Sequence, residues 1–290
     1  MLLGNPPYHI LGLDFTSAPR RAKPITVAHG VLDASGCLCI EQVEALTDFA
    51  AFEAVLQRPG PWLGGFDFPF GLPREAVTDL ALPTRWDALV RHCNSLGKPG
   101  FRALLDGHRQ ARPMGNRYAH RATDRPAGSH SPLKLVNPPV GLMFLEGAPR
   151  LLAAGCDVPG LHAGDPTRVA LEAYPGLLAR QLIGRQSYKS DDKARQTPPR
   201  REARQQLLGQ LLQAEQAPAR TPRSPSAAAR RPALQVSPAL HQRMLDDGSG
   251  DVLDAVLCAL QAASVAHLSR YGMPAQTDAV EGWIIGAKPE

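Results

Sequence analysis

Residues 9–16 read His-Ile-Leu-Gly-Leu-Asp-Phe-Thr, a nearly continuous apolar run of strand length from which the architecture can be built outward. Such a run predicts a strand covered on both faces, and Asp14 lies near its end. Two further strand candidates, 25–32 and 37–43, flank Asp33-Ala-Ser-Gly36, which supplies the turn residues of a hairpin. We therefore expect the first three strands to form an antiparallel meander.

A helix and another buried strand follow the meander. Thr47 or Asp48 can cap a helix that runs to about Gln57, where Arg58-Pro-Gly stops it. The next apolar run, 61–67, reads Pro-Trp-Leu-Gly-Gly-Phe-Asp. Because a helix separates this strand from the meander, a right-handed crossover places it parallel to one of the earlier strands.

The whole chain, residues 1–290, is predicted as one domain with two additions. One is a helical and basic-loop insertion at about 74–165, and the other is an excursion rich in Ala, Pro and Arg at about 217–238. The expected elements are helices near 74–80, 86–93, 101–110, 175 onward, 199–213 and 250–271, and strands near 168–174 and 281–285.

Composition limits the classes of protein to which this chain can belong. With 43% hydrophobic and 20% charged residues in 290, a folded globular protein is expected rather than a disordered, collagen-like or coiled-coil one. No run of eighteen apolar residues occurs, which excludes a membrane-spanning helix. The odd count of five cysteines and an N-terminus without signal-peptide features predict a cytoplasmic setting. A net charge of +5 modestly favours an anionic partner.

The motif that indicates chemistry is Asp251-Val-Leu-Asp254-Ala-Val-Leu-Cys-Ala. Two carboxylates three residues apart share one face of a helix, and the small and apolar residues after them predict that this helix is buried. Asp251 alone is also explained as a helix cap. Asp254 lies one turn inside the helix, where an unpaired carboxylate is costly, so it needs a compensating charge.

Asp14 and Asp67 stand at the ends of predicted strands, where open α/β sheets place their sites. Each alone is typical of a turn. Clustered carboxylates raise one another's pKa and lose their charge unless a cation compensates them. Convergence of these two residues with the Asp-x-x-Asp helix therefore predicts an all-oxygen site that suits Mg²⁺ or Mn²⁺.

Taken together, these motifs resemble the ribonuclease-H-like superfamily, in which Holliday-junction resolvases end with a similar Asp-x-x-Asp helix. The closer resemblance is to domain-of-unknown-function family 429, a group of predicted nucleases. The segments that carry this resemblance are 12–14, 65–71, 172–175, 251–259 and 281–284. It implies an α/β fold with a mixed five-stranded sheet and helices on both faces. The resolvases carry Glu where Asp67 aligns.

The resemblance further implies a nuclease that hydrolyses phosphodiesters of DNA or RNA with two metal ions. Asp14 and either Asp251 or Asp254 would hold one ion, while Asp14 and Asp67 would hold the second about 3.5 to 4 Å away. Two other functions stay open. One is an ATP-dependent phosphotransferase of the actin-like kinase type, and the other is a non-catalytic nucleic-acid-binding module.

Six further residues are candidates for the site. Glu172 is predicted as an additional catalytic or metal-binding carboxylate, or as the partner of an arginine in a salt bridge. The basic loop is predicted to contact nucleic acid through Arg117, Arg121, Arg125 and Lys134, although arginine is the preferred cation throughout the chain. Lys189 is predicted as a phosphate contact or as a solvated loop lysine.

Overall fold

In the computed structural model, which describes residues 8–213 and 231–289, seven strands form one mixed sheet. They are β1 (Tyr8–Asp14), β2 (Ile25–Leu32), β3 (Cys37–Leu46), β4 (Trp62–Asp67), β5 (Cys156–Asp157), β6 (Asp165–Glu172) and β7 (Ala233–Val236). Their order across the sheet is β5-β6-β4-β1-β2-β3-β7. The strands β1, β2 and β3 pair antiparallel, and all other pairs are parallel.

The predicted opening of the fold is confirmed. The first helix is α1 (Phe49–Leu56), and the Asp48 side chain caps it by accepting a hydrogen bond from the Ala51 amide at 2.8 Å. As this helix returns the chain across the sheet, β4 pairs parallel to β1. The sheet is wider than the five strands expected, because β5 and β7 are added at its two edges.

The described residues, 8–213 and 231–289, form nine further α-helices, which cover both faces of the sheet. They are α2 (Arg74–Asp79), α3 (Trp86–Ser95), α4 (Gly97–Ala111), α5 (Asp124–Ala127), α6 (Val140–Ala154), α7 (Pro175–Ile183), α8 (Pro198–Leu212), α9 (Pro238–Asp246) and α10 (Asp251–Val265). One apolar cluster contains residues of the four helices α7, α8, α9 and α10 together with Ile10 of β1. The other contains residues of helices α1, α2, α3, α4 and α6 together with Leu11 and Leu13 of β1. Successive residues of β1 thus face opposite layers, as a strand buried on both sides requires.

Helix α10 lies directly against the centre of the sheet. A side chain at Gly12 of β1 would overlap the backbone of Ala255 and Ala259, and one at Gly65 of β4 would overlap the carbonyl of Cys258. Only glycine permits this approach of helix to strand. The contact places the first turn of α10 beside the carboxyl ends of β1 and β4.

Several predicted elements differ from the structure. Helices α6 and α9 occupy segments for which no helix was predicted, and α10 ends at Val265 rather than near residue 271. Residues 281–285 form no strand but one bridge between Glu172 and Ile284. The predicted excursion contains β7, while its residues 217–230 lie outside the described part. Among the described helices, none has the length and apolar character needed to cross a membrane.

Candidate functional site

Two aspartates meet at the carboxyl ends of neighbouring strands. Strands β1 and β4 run parallel, and in their register Asp14 lies directly beside Asp67. Adjacent strands are about 4.8 Å apart, and register partners point to the same side of the sheet. The two carboxyl groups therefore share one small region, as the sequence predicts.

Helix α10 brings the other two aspartates to the same place. Asp254 is fully buried and Asp251 nearly so, and both add to the electrostatic repulsion that acts on Asp14. Asp251 does not cap α10 with its side chain. The Asp247 carboxylate instead accepts a hydrogen bond from the Val252 amide at 2.9 Å, which leaves Asp251 available for other partners.

Two lysines enter this cluster of acids. The Lys23 ammonium donates to Asp251 Oδ1 at 2.8 Å and to Asp191 Oδ1 at 2.6 Å. The Lys189 ammonium forms an ion pair with Asp254 Oδ2. These lysines supply two of the positive charges that the aspartates require.

Asp254 has a second buried partner in Tyr188, whose hydroxyl donates to Asp254 Oδ1 at 2.6 Å. The compensation of Asp254 is therefore an ion pair with Lys189 and a hydrogen bond from Tyr188. Neither Lys23 nor Tyr188 was predicted for the site. Their only sequence signal is that they lie in short loops, Lys23 before β2 and Tyr188 after α7.

Asp14 and Asp67 have no comparable partner. Neither side chain makes a hydrogen bond or ion pair with any residue in the described ranges 8–213 and 231–289. Burial, followed by repulsion from Asp251, raises the pKa of Asp14 well above its usual range. Burial is also the main cause that raises the pKa of Asp67 to about 7, and Asp254 adds to it. Asp14 and Asp67 thus adjoin each other without a direct hydrogen bond or ion pair, and the charges of Lys189 and Lys23 act on both carboxyl groups from a longer distance.

The donor chemistry of this pair fits a hard divalent cation. Within the described residues, no group of three or more His, Cys, Asp or Glu side chains is arranged to hold a metal. Mg²⁺, however, is usually bound by one or two carboxylates together with waters and substrate phosphates. Asp14 and Asp67 are such a pair, whereas the ion expected at Asp251 or Asp254 competes with Lys23 and Lys189.

Glu172 forms a salt bridge with an arginine, which is the alternative role that the sequence left open for it. Arg121 donates to its two carboxylate oxygens at 2.6 and 2.7 Å, and the Phe70 amide donates to Oε2 at 2.9 Å. With both oxygens engaged, Glu172 contributes to the site by fixing the turn after β4. Its expected role as a catalytic carboxylate has no support from this geometry.

The basic loop divides into buried and exposed residues. Arg121 is 2% exposed and is also paired with Asp124, which corrects the expectation that it contacts nucleic acid. Arg117 and Arg125 are exposed and Lys134 is partly buried, so these three remain predicted contacts. Helix α5 lies within this basic loop, where no helix was predicted.

Comparison with protein families gives one match. The family described as "Protein of unknown function (DUF429)" matches residues 12–279, a range that includes all four site aspartates and both lysines. No curated protein and no solved structure matches the chain.

Proposed function

The chain belongs to the DUF429 family, and for this member we propose a metal-dependent phosphodiester hydrolase that acts on DNA or RNA. The observation that supports it best is the pair Asp14 and Asp67, adjacent at two strand ends and without a hydrogen bond or ion pair among the described residues. Two acids in this arrangement are stabilised in their charged form by a bound cation.

Asp14 and Asp67 would hold Mg²⁺ or Mn²⁺ through their carboxylate oxygens. When bound, such an ion supplies a water of lowered pKa and neutralises charge on a phosphoryl oxygen. The chain contributes the rigid placement of both ligands. Asp14 ends the central strand β1, and α10 packs against β1 at Gly12 with backbone contact.

Lys23 and Lys189 would stabilise the phosphate group of the substrate. Both ammonium groups lie close enough to Asp67 to oppose the rise in its pKa, so their charge acts at the site. In this proposal Asp251 and Asp254 are positioning residues, because each holds one of these lysines by an ion pair. This assignment differs from the expected two-metal arrangement, in which Asp251 or Asp254 binds an ion directly.

Cleavage assays test the proposal. We would measure hydrolysis of labelled single-stranded, duplex and branched DNA and RNA, and of the small diester bis(p-nitrophenyl) phosphate, with Mg²⁺ or Mn²⁺. We expect Asp14→Asn to lower the rate at least about a hundredfold, which corresponds to roughly 2.7 kcal/mol of transition-state stabilisation. The matched control is Asp106→Asn, the same chemical change on helix α4 in the opposite layer.

Each remaining outcome is informative. Equal rates for wild type and Asp14→Asn would overturn the proposal. Phosphate transfer from ATP without strand cleavage would favour the phosphotransferase instead. Salt-sensitive binding of nucleic acid without cleavage under either divalent ion would favour the binding module.

A further inference from the structure

A groove of about 480 Å³ opens beside the aspartate cluster. It runs between α7, the loop that follows α7, and the turn at Gly128. Its lining includes Gly128, Arg180, Gly184, Arg185 and Tyr188. None of these residues is acidic and two are arginines, so the groove presents positive charge.

Tyr188 connects this groove to the aspartate cluster. It lines the groove, and its hydroxyl donates to Asp254 at 2.6 Å. The next residue is Lys189, which forms an ion pair with the same carboxylate. Tyr188 is therefore a wall shared by the groove and the aspartate cluster.

The two arginines of the groove differ in how they are held. Arg180 donates to the carbonyls of Ala127 and Gly128 and lies over the ring of Tyr174 at 5.4 Å, so its position is fixed. Arg185 is exposed and makes no hydrogen bond or ion pair with any residue that the structure describes. Its guanidinium is free to bind an anion.

Glycines keep the groove open. Gly184 ends α7 with a positive φ of 66°, and a side chain there would meet no atom within 4 Å. A side chain at Gly128 would instead collide with the Arg180 guanidinium. Glycine at position 128 leaves room for the Arg180 guanidinium, and glycine at position 184 permits the positive φ at the end of α7.

The basic surface continues beyond the groove toward the loop before α6. The pKa of His130 is lowered, first by burial and then by the positive charges of Lys134, His120 and Arg180. Each of these cations therefore lies near enough to His130 to act on it. Arg180 lines the groove, and Lys134 is one of the residues that the sequence predicts as a nucleic-acid contact.

We propose that this groove binds one strand of the nucleic-acid substrate by its phosphate backbone, with Arg185 as a direct phosphate contact. The proposal rests on the proposed function, which it deepens by naming where the strand lies on one side of the aspartate cluster. A polyanionic strand suits a basic, glycine-lined groove, because phosphate contacts and backbone contacts need no particular base.

Binding measurements test the groove separately from catalysis. The anisotropy of a labelled 20-nucleotide single strand is measured in EDTA at several salt concentrations, with wild type, Arg185→Gln and Arg91→Gln. Arg91 is a matched control, exposed on α3 in the opposite helical layer. We expect Arg185→Gln to weaken binding about two- to fivefold and to lower the slope of log affinity against log salt by about 0.7. Arg91→Gln should leave both values unchanged.

The outcomes separate the two proposals. Suppose that wild type cleaves the small diester but that Arg185→Gln and Arg91→Gln bind the strand as wild type does. The groove proposal is then wrong, and the hydrolase proposal is retained. If Arg185→Gln alone weakens binding of the strand but neither wild type nor any variant cleaves a substrate, the groove proposal is retained and the hydrolase proposal is wrong. Failure of wild type to bind the strand, or equal affinity for an acidic peptide of the same charge, would overturn the groove proposal.

Discussion

The protonation of Asp67 links the stability of this protein to pH in the range from weakly acidic to neutral. Burial and the neighbouring Asp254 raise its pKa to about 7. Between its ordinary pKa near 4 and about 7, the folded chain retains a proton that the unfolded chain has lost. A raised carboxyl pKa contributes stability that is fully present below the ordinary value and is lost as pH rises through the folded value.

The first prediction compares wild type with Asp67→Asn in EDTA. Relative to the variant, wild type should lose stability between pH 4.5 and 7, at up to about 1.4 kcal/mol per pH unit. Urea unfolding at a series of pH values measures this difference, and Asp106→Asn should follow wild type. Parallel pH profiles for wild type and Asp67→Asn would show that the Asp67 pKa is not raised.

For single residues, the sequence identified the aspartates of the site but not the side chains that pair with them. Asp14, Asp67 and Asp254 were predictable because each sits at a strand end or inside a buried helix. Lys23 could not be predicted, since its distance from Asp251 depends on how two loops fold over the strand ends. Arg121 and Glu172 are 51 residues apart, and no local pattern links them.

Helix α10 and strand β1 are the elements on which the site depends. Their contact has no room for a side chain at Gly12, because a β-carbon would overlap the helix backbone. Backbone atoms of a packed helix cannot rotate away as a side chain can. Any displacement of α10 would move Asp251 and Asp254 relative to Asp14.

The second prediction concerns this helix contact. Gly12→Ala should destabilise the protein by about 1–3 kcal/mol or more, because overpacking forces the helix and the strand apart. Gly107→Ala in α4 is the control, since a side chain there meets nothing within 4 Å. It should be neutral or stabilising by about 0.5–1 kcal/mol. Equal unfolding midpoints for the two variants would contradict the predicted packing.

Helices and strands were predictable where residues that cap or terminate a helix mark their ends. Helix α1 and strand β4 were predicted because Asp48 begins the helix and Arg58-Pro-Gly ends it. Helix α6 was not, since it is largely apolar and contains Pro149. Helix α9 was not either, because the composition before it is typical of a linker. Tertiary packing determines both of these helices, and it is not visible in local periodicity.

For the whole molecule, Arg121 joins three distant parts of the chain. It pairs with Asp124 of the insertion and with Glu172 at the end of β6, and it donates to the Glu281 carbonyl at 2.9 Å. The opposing charges raise its pKa despite its burial. The insertion, the sheet and the C-terminal segment are thus held by one buried guanidinium.

The third prediction removes this junction. Arg121→Met should destabilise the fold by about 3–5 kcal/mol, because two buried carboxylates are left without a counter-charge. Arg85→Met is the comparison, since its ion pair with Asp87 lies on the surface with the arginine side chain 82% exposed. That change should alter the free energy of unfolding by less than about 1 kcal/mol. Similar losses in both variants would argue against a central role for Arg121.

The number of strands in the sheet is a property of the whole molecule, and it could not be predicted from the sequence. Strand β5 has two residues and β7 has four, which is too short for a period-two pattern to identify. Each exists because it pairs with the edge of a longer strand, β6 or β3. The strands β1, β2 and β4 carry apolar runs and β3 begins with one, so these four strands could be predicted from the sequence alone.

Calorimetric titration with Mn²⁺ tests the central claim most directly, namely that Asp14 and Asp67 together bind a divalent cation. Wild type and the Asp106→Asn control should bind Mn²⁺ at pH 6.5 and release protons, because the raised pKa of Asp14 and Asp67 means that the cation displaces protons. Asp14→Asn should lose both the binding and the proton release. Unchanged Mn²⁺ binding by Asp14→Asn, or no binding by folded wild type, would contradict the account.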